Sequence, residues 1–152
     1  MPNRIIILGN EPELLPLAQA IDKTYNNGQA EVLMYNDTNI GQKTSSDNLY
    51  LIGHAGAKGI GDYSYSDLVT HFGAHLKGAA TAVYLSGCST ASQAAQILKG
   101  GFVPATLAAS VKSYTNKTVY GTPGVLVLTL PAGELSVVAN LPYKSTDIFV
   151  KA

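Results

Sequence analysis

The chain begins with an unbroken apolar run, Arg4-Ile5-Ile6-Ile7-Leu8-Gly9, rich in β-branched residues and closed by glycine. Such a run predicts a strand buried on both faces. The period then changes. From Glu13 to Tyr25, Leu14, Leu15, Leu17, Ala18 and Ile21 recur at helical spacing, with Asn26-Asn27-Gly28 as a stop signal. Glu31 to Asn36 predicts a second strand, Asp37 to Asp47 a polar loop, and Asn48 to Gly53 a third strand. After a glycine-rich loop, Ser64 and Asp67 have the spacing of a reciprocal helix cap. Leu68, Val69, Phe72 and Leu76 continue as the buried stripe of that helix. Ala82 to Gly87 predicts a fourth strand, Ser92 to Lys99 a short helix ending at Gly100-Gly101, and Ala105 to Tyr114 a further helix.

The last third alternates differently. Lys117 to Tyr120, Val125 to Leu130 and Glu134 to Ala139 predict strands, with Pro131-Ala132-Gly133 as the turn between the last two. Strands and helices that alternate early and end in paired strands imply an α/β fold. The expected architecture is a three-layer sandwich with a mostly parallel central sheet and a C-terminal β-hairpin. No internal repeat or linker divides the chain, so residues 1–152 are expected to form one domain.

Composition narrows the function classes. Apolar residues make up 46% of the chain and charged residues 13%, the balance of a globular protein. The formal net charge is zero, so no broad electrostatic footprint for nucleic acid or an anionic membrane surface is expected. No apolar stretch approaches a bilayer span. The amino terminus carries no signal-peptide pattern, which leaves a cytoplasmic location or export by a route independent of a signal peptide. Cys88 is the single cysteine, so no internal disulfide holds the fold.

That cysteine is also where candidate chemistry begins. Asn48 to Ile52 runs into Gly53-His54-Ala55-Gly56, and Ala82 to Leu85 runs into Ser86-Gly87-Cys88-Ser89-Thr90. Both candidate residues therefore fall at carboxyl ends of predicted strands, where open α/β sheets bind ligands. Neighbouring parallel strands lie roughly 5 Å apart, so side chains leaving two such ends can meet across a substrate bond. A thiol activated by an adjacent imidazole is the pairing that nucleophilic catalysis uses. Gly53 and Gly56 clear side chains from around His54, and Gly87 permits a turn that exposes Cys88. Ser89, Thr90 and Ser92 can open a helix whose N-terminal dipole favours a thiolate. The backbone N–H groups of Ala55 and Cys88 are the candidate oxyanion donors. Taken singly, a cysteine after an apolar strand is more often a small buried hydrophobe, and a lone histidine a loop residue. Their matched contexts favour catalysis.

These segments resemble the signature of the caspase-like cysteine peptidases, in which one strand ends in His-Gly and the next in the catalytic Cys. Within that superfamily they are most similar to the cysteine protease domain of large RTX-type bacterial toxins. There the pattern runs Gly-His-Gly, then Gly-Tyr-Ser and an acidic-leucine pair opening a helix, then Gly-Cys-Ser. This chain has Gly53-His54, then Gly61-Asp62-Tyr63-Ser64 with Asp67-Leu68, then Gly87-Cys88-Ser89. The likeness is firm over residues 48–92 and elsewhere follows element order alone. It implies a caspase-like fold and a cysteine endopeptidase with Cys88 as nucleophile and His54 as proton-transfer partner. It further implies a self-processing or toxin-effector role, a peptide or protein substrate, no cofactor, no metal and no obligatory third catalytic residue.

Two departures stand out. Ala55 takes the place of the glycine that usually follows the histidine, which adds a methyl group at a position that acts through its backbone. The toxin domains are activated by inositol hexakisphosphate in a dense basic pocket. Here Arg4 is the sole arginine and the nine lysines are scattered, so activation by that effector is not expected. The same scarcity bears on specificity. Caspases hold aspartate with arginine, yet Arg4 starts the first strand, at the opposite sheet edge from Cys88. Asp62, Tyr63, Tyr120, Gly121 and Thr122 are the substrate-pocket candidates. A small or apolar residue before the cut is the first expectation, and a basic residue held by Asp62 the second.

Other features carry weaker chemistry. His71 and His75 share a helix but lack a third ligand, so a partly solvated helix face is expected rather than a metal site. Gly53, Gly56, Gly59 and Gly61 are not followed by the Lys-Ser/Thr pair or the immediate helix of a phosphate loop. The alternative to an enzyme is a catalytically silent caspase-like module that binds a peptide or protein partner; retention of both His54 and Cys88 favours the enzyme.

Overall fold

Strand β1, Arg4–Ile7, is buried on both faces, as its unbroken apolar run predicts. It lies inside a six-stranded sheet. The computed structural model describes residues 2–56, 59–87, 105–122, 125–129, 134–140, 143–145 and 149–152. In chain order, β1 leads to α1 (Leu14–Asn26), β2 (Glu31–Met34), a 3-10 turn (Ile40–Gln42) and β3 (Ser46–Gly53). Three two-residue strands follow, β4 (Ala55–Gly56), β5 (Gly59–Ile60) and β6 (Tyr63–Ser64), then α2 (Tyr65–Gly78) and β7 (Ala79–Gly87). The described remainder comprises α3 (Ala105–Thr115), β8 (Thr118–Gly121), β9 (Val125–Thr129), β10 (Glu134–Asn140), β11 (Tyr143–Ser145) and β12 (Val150–Lys151).

The main sheet has the order β12-β8-β7-β3-β1-β2, and every pairing from β8 to β2 is parallel. β12 adds an antiparallel edge beside β8. Alternation along each strand sends side chains to two cores. Ile6, Leu49, Leu51, Val83 and Leu85 pack with Leu68, Phe72 and Leu76 of α2 and with Leu107 and Val111 of α3. Ile5, Ile7, Tyr50 and Ile52 pack on the other face with Leu14, Leu17, Ala18 and Ile21 of α1. The fold is thus an α/β sandwich of three layers, helix–sheet–helix, as expected. β9, β10 and β11 form a separate antiparallel sheet. The expected helix at Ser92 to Lys99 and the expected turn at Pro131-Ala132-Gly133 lie outside the described residues.

Local signals explain the helix ends. Pro16 sits in the first turn of α1, where its missing N–H costs no intrahelical bond. Asn27 closes α1 in the left-handed region, φ 52°, with its N–H donating to the Asp22 carbonyl. Ser64 and Asp67 form the reciprocal cap of α2: Ser64 Oγ accepts from the Asp67 N–H, and the Asp67 carboxylate accepts from the Ser64 N–H. The Ser64 N–H first, and then the Ser64 hydroxyl, which donates to the same carboxylate, hold the Asp67 carboxyl below its ordinary value.

Two differences from the sequence pattern have simple causes. β7 starts at Ala79, ahead of the expected Ala82, because α2 passes into it without a loop; Ala80 and Thr81 are exposed and carry no apolar signal. The glycine-rich stretch after His54 is a β4-β5-β6 meander. Strands of two residues are too short to show alternation.

On the α1 face, register stacks three tyrosines. Tyr50 pairs with Tyr84, and Tyr84 with Tyr120. Their rings stack at centroid separations of 4.4 and 4.7 Å, and Phe149 meets Tyr84 edge-on at 4.9 Å. Burial, followed by the neighbouring phenol, raises the pKa values of Tyr50 and Tyr84. Among the described residues, no helix is long and apolar enough to cross a membrane.

The amino edge of the sheet is tied by charge. Arg4 donates to the Glu31 carboxylate and to the Lys43 and Ser45 carbonyls, and Lys43 also donates to Glu31. The Lys43 hydrogen bond, joined by Arg4 and opposed by partial burial, holds the Glu31 carboxyl below its usual 4.5. A depressed carboxylate contributes stability above its unfolded value and loses it as pH falls through its folded value. The melting-temperature gap between the wild type and Glu31→Gln is therefore expected to be full at neutral pH and to shrink in acid; a gap constant down to about pH 3 would contradict this. In the core, Leu51→Ala is expected to cost about 2–5 kcal/mol by urea denaturation, because Leu51 is fully buried in the central strand. A loss below about 1 kcal/mol would show that the site collapses around the missing atoms.

Candidate active site

The strand order reverses direction beside β1. From β1 the chain moves outward to β2, then returns across β1 to β3 and continues to β7 and β8. The connection after β1 rises to α1 on one face, and that after β3 leads to α2 on the other. The two diverging loops leave a crevice at the carboxyl ends of β1 and β3, the usual ligand position in such sheets.

His54 stands at that crevice, immediately after β3. Its Nε2–H donates to Glu13 Oε1 at 2.6 Å, and both side chains are about one-third exposed. Glu13 is the N-cap residue of α1, yet its side chain makes no capping bond to the helix. An acid at that position commonly satisfies the free N–H groups of the first turn. Here the carboxylate turns to the imidazole. An ionised carboxylate only accepts, so the contact sets the ring's tautomer as well as its orientation.

The backbone of His54 is held from the opposite side. Its carbonyl accepts from the Gly61 N–H. Gly61 adopts φ 59°, and a Cβ there would come within 2.9 Å of the Leu8 carbonyl oxygen, so this turn requires glycine. The Leu8 N–H in turn donates to the Ile52 carbonyl at 2.7 Å. The ends of β1 and β3 and the Gly61 turn thus form one hydrogen-bonded frame around His54.

β3 and β7 stay in parallel register through Gly53 opposite Gly87. His54 follows the first of these glycines and Cys88 follows the second. Cys88 itself lies outside the described residues, as do Ser89, Thr90 and Ser92. Ala55 opens β4 and pairs with Ile60 of β5. Ser86, opposite Ile52, is fully buried, and its hydroxyl finds no hydrogen-bond partner among the described residues.

The pocket candidates fall into two groups. Asp62 and Tyr63 line a cleft of about 460 Å³ with Leu8, Gly9, Asn10, Glu11 and Tyr35. Tyr120, Gly121 and Thr122 lie at the carboxyl end of β8, two strands from β3. Tyr120 is the outer rung of the tyrosine stack, Gly121 pairs with Leu85 and Val150, and the buried Thr122 hydroxyl donates to the Leu85 carbonyl at 3.4 Å. The helix histidines part company. His75 is buried, not at a partly solvated face, and its Nε2–H donates to the Ile40 carbonyl at 2.7 Å. His71 is exposed and meets Tyr63 edge-on. Among the described residues, no group of three or more His, Cys, Asp or Glu side chains could hold a metal ion.

Sequence reasoning did not single out Glu13 or Glu11. The usable signal was an acidic pair, Glu11 and Glu13, between the first strand and the first helix, at the point where the sheet order reverses. No protein-family model matches the chain, and no curated protein matches it either.

At a pH high enough to keep the imidazole neutral, long-range 15N–1H correlation is expected to show the His54 proton on Nε2 in the wild type and a mixture of tautomers in Glu13→Ala. A neutral wild-type ring with its proton on Nδ1 alone would overturn the Glu13 contact.

Proposed function

We propose that the chain is a cysteine endopeptidase in which Cys88 is the nucleophile and His54 the proton carrier. The observation that carries this reading is the His54–Glu13 pair at the carboxyl edge of the parallel sheet. A histidine whose tautomer and orientation are set by a carboxylate is the base of a nucleophile–base–orienter constellation. The likeness of residues 48–92 to the caspase-like peptidases of RTX-type toxins supplies the reaction class.

With Nε2 bonded to Glu13, proton exchange with the thiol runs through Nδ1 of His54. The Cys88 sulfur attacks the scissile carbonyl, an S–C bond forms, and the oxyanion is received by the Ala55 and Cys88 backbone N–H groups. As the C–N bond breaks, His54 passes its proton to the leaving amine. Water then gives a proton to His54 and attacks the thioester; the S–C bond breaks, the acid leaves, and the thiol is restored. Glu13 is a positioning residue in this scheme. A self-processing or toxin-effector role is consistent with the likeness and is part of the proposal.

Incubation with a fluorogenic peptide library is the test. Cleavage is expected to fall by at least about a thousandfold in Cys88→Ala and in His54→Ala, with little change in thermal midpoint. A peptidyl electrophile is expected to form an adduct on Cys88 at a rate that depends on His54. Cleavage that persists in Cys88→Ala would refute the assignment. A wild type that neither cleaves any peptide nor forms an adduct would instead identify a silent caspase-like binding module.

A further inference from the structure

The cleft between the Leu8–Glu11 loop and the segment after the Gly61 turn has a composition that bears on what the site would receive. Leu8 and the rings of Tyr35 and Tyr63 give apolar surface, while Glu11 and Asp62 supply two carboxylates; none of the lining residues is cationic. Its volume of about 460 Å³ falls within the range of side-chain and small-ligand pockets, roughly 300–1,000 Å³. Local structure keeps it open. Gly9 leaves room for the Glu11 carboxylate, whose Oε2 lies where a Cβ on residue 9 would press against it. Across the cleft, Asp62 and Tyr63 follow the Gly61 turn that is pinned to the His54 carbonyl. Asn10 Nδ2 donates to the Tyr35 hydroxyl at 2.9 Å, which fixes that phenol at the wall. Burial, then the nearby Tyr35, Asp62 and Asp67 oxygens, raise the Tyr63 pKa, in keeping with a surface of negative potential.

Both walls lead directly to the His54 site. The Glu11 loop runs on to Glu13, which holds the His54 ring, and the Gly61 turn holds the His54 carbonyl. A long side chain with an apolar stem and a charged tip matches such a lining: methylenes against Leu8 and the tyrosine rings, and the cationic group between carboxylates.

We propose that this cleft receives the lysine or arginine side chain of the substrate residue that precedes the scissile bond. The inference rests on the peptidase reading and names its substrate class. It places a basic residue ahead of the apolar one that the sequence pattern puts first, and it assigns Glu11, which no motif marks, to specificity beside Asp62.

Two measurements separate the two readings. In the first, Cys88 is labelled with peptidyl acyloxymethyl ketones that differ only at the residue before the electrophile: lysine, norleucine or aspartate. Norleucine is lysine without its ammonium group. The lysine probe is expected to react about tenfold or more faster than the norleucine probe, the worth of one charge-assisted hydrogen bond. That ratio is expected to fall about tenfold in Glu11→Gln combined with Asp62→Asn. Norleucine or aspartate reacting faster than lysine would overturn the cleft assignment while leaving the peptidase reading intact.

In the second, Cys88→Ala is titrated with Nα-acetyl-lysine methylamide and backbone amide shifts are followed. Shifts at Gly9, Asn10 and Gly61 that are absent with Nα-acetyl-norleucine methylamide, and lost in the double variant, support the cleft even if no probe labels Cys88, a result that would overturn the peptidase reading alone. No shift at these amides overturns the cleft. Equal shifts with n-butylammonium chloride would mark a free-amine site and overturn the peptide assignment.

Discussion

The parallel pairing of β3 with β7 constrains everything built above it. Its register runs unbroken from Asn48 opposite Ala82 to Gly53 opposite Gly87. A one-residue slip of β3 against β7 would turn Leu49 and Leu51 from the α2 face to the α1 face and send Tyr50 and Ile52 the other way. The leucines and valines of this pair therefore do two things at once. They bury the centre of the sheet, and they set the level at which the chain leaves it toward His54 on one strand and toward Cys88 on the next.

The site also depends on where the sheet reverses. Because the loops after β1 and β3 leave on opposite faces, the α1 N-terminus can bring Glu13 to a histidine that belongs to another strand. The helix gives up a side-chain cap at Glu13, and the His54 ring gains a fixed orientation. The Gly61 turn completes the frame from the α2 side. Charge is distributed in keeping with this division. The basic Arg4–Glu31–Lys43 cluster ties the amino edge of the sheet, and the carboxylates of Glu11, Glu13 and Asp62 gather at the carboxyl edge.

Much of the framework was legible in residue order. The runs at Ile5 to Ile7 and Leu49 to Ile52 are buried on both faces and read as strands without ambiguity, and the Ser64/Asp67 cap marks the start of α2 to the residue. What was not legible depends on contacts distant in sequence. Glu13 looks like an ordinary first-turn acid until β1 and β3 pair. His75 looks half-solvated by helical spacing, but the Ile40 turn, which precedes β3 in the chain, closes over it. The β4-β5-β6 meander is held by backbone pairing between two-residue strands, a scale at which hydrophobic alternation cannot show. The position of His54 at a strand end was readable; the partner that orients its ring was not.

The central claim, that His54 activates the Cys88 thiol, is tested most directly by the pH dependence of Cys88 alkylation with iodoacetamide. If the imidazole assists the thiol, alkylation of the wild type stays fast at about pH 6, and His54→Ala slows it there by about tenfold or more while changing it little at about pH 9. Coincident profiles for the two proteins, each rising only near the ordinary thiol range of about 8.5, would show that the two residues do not act together.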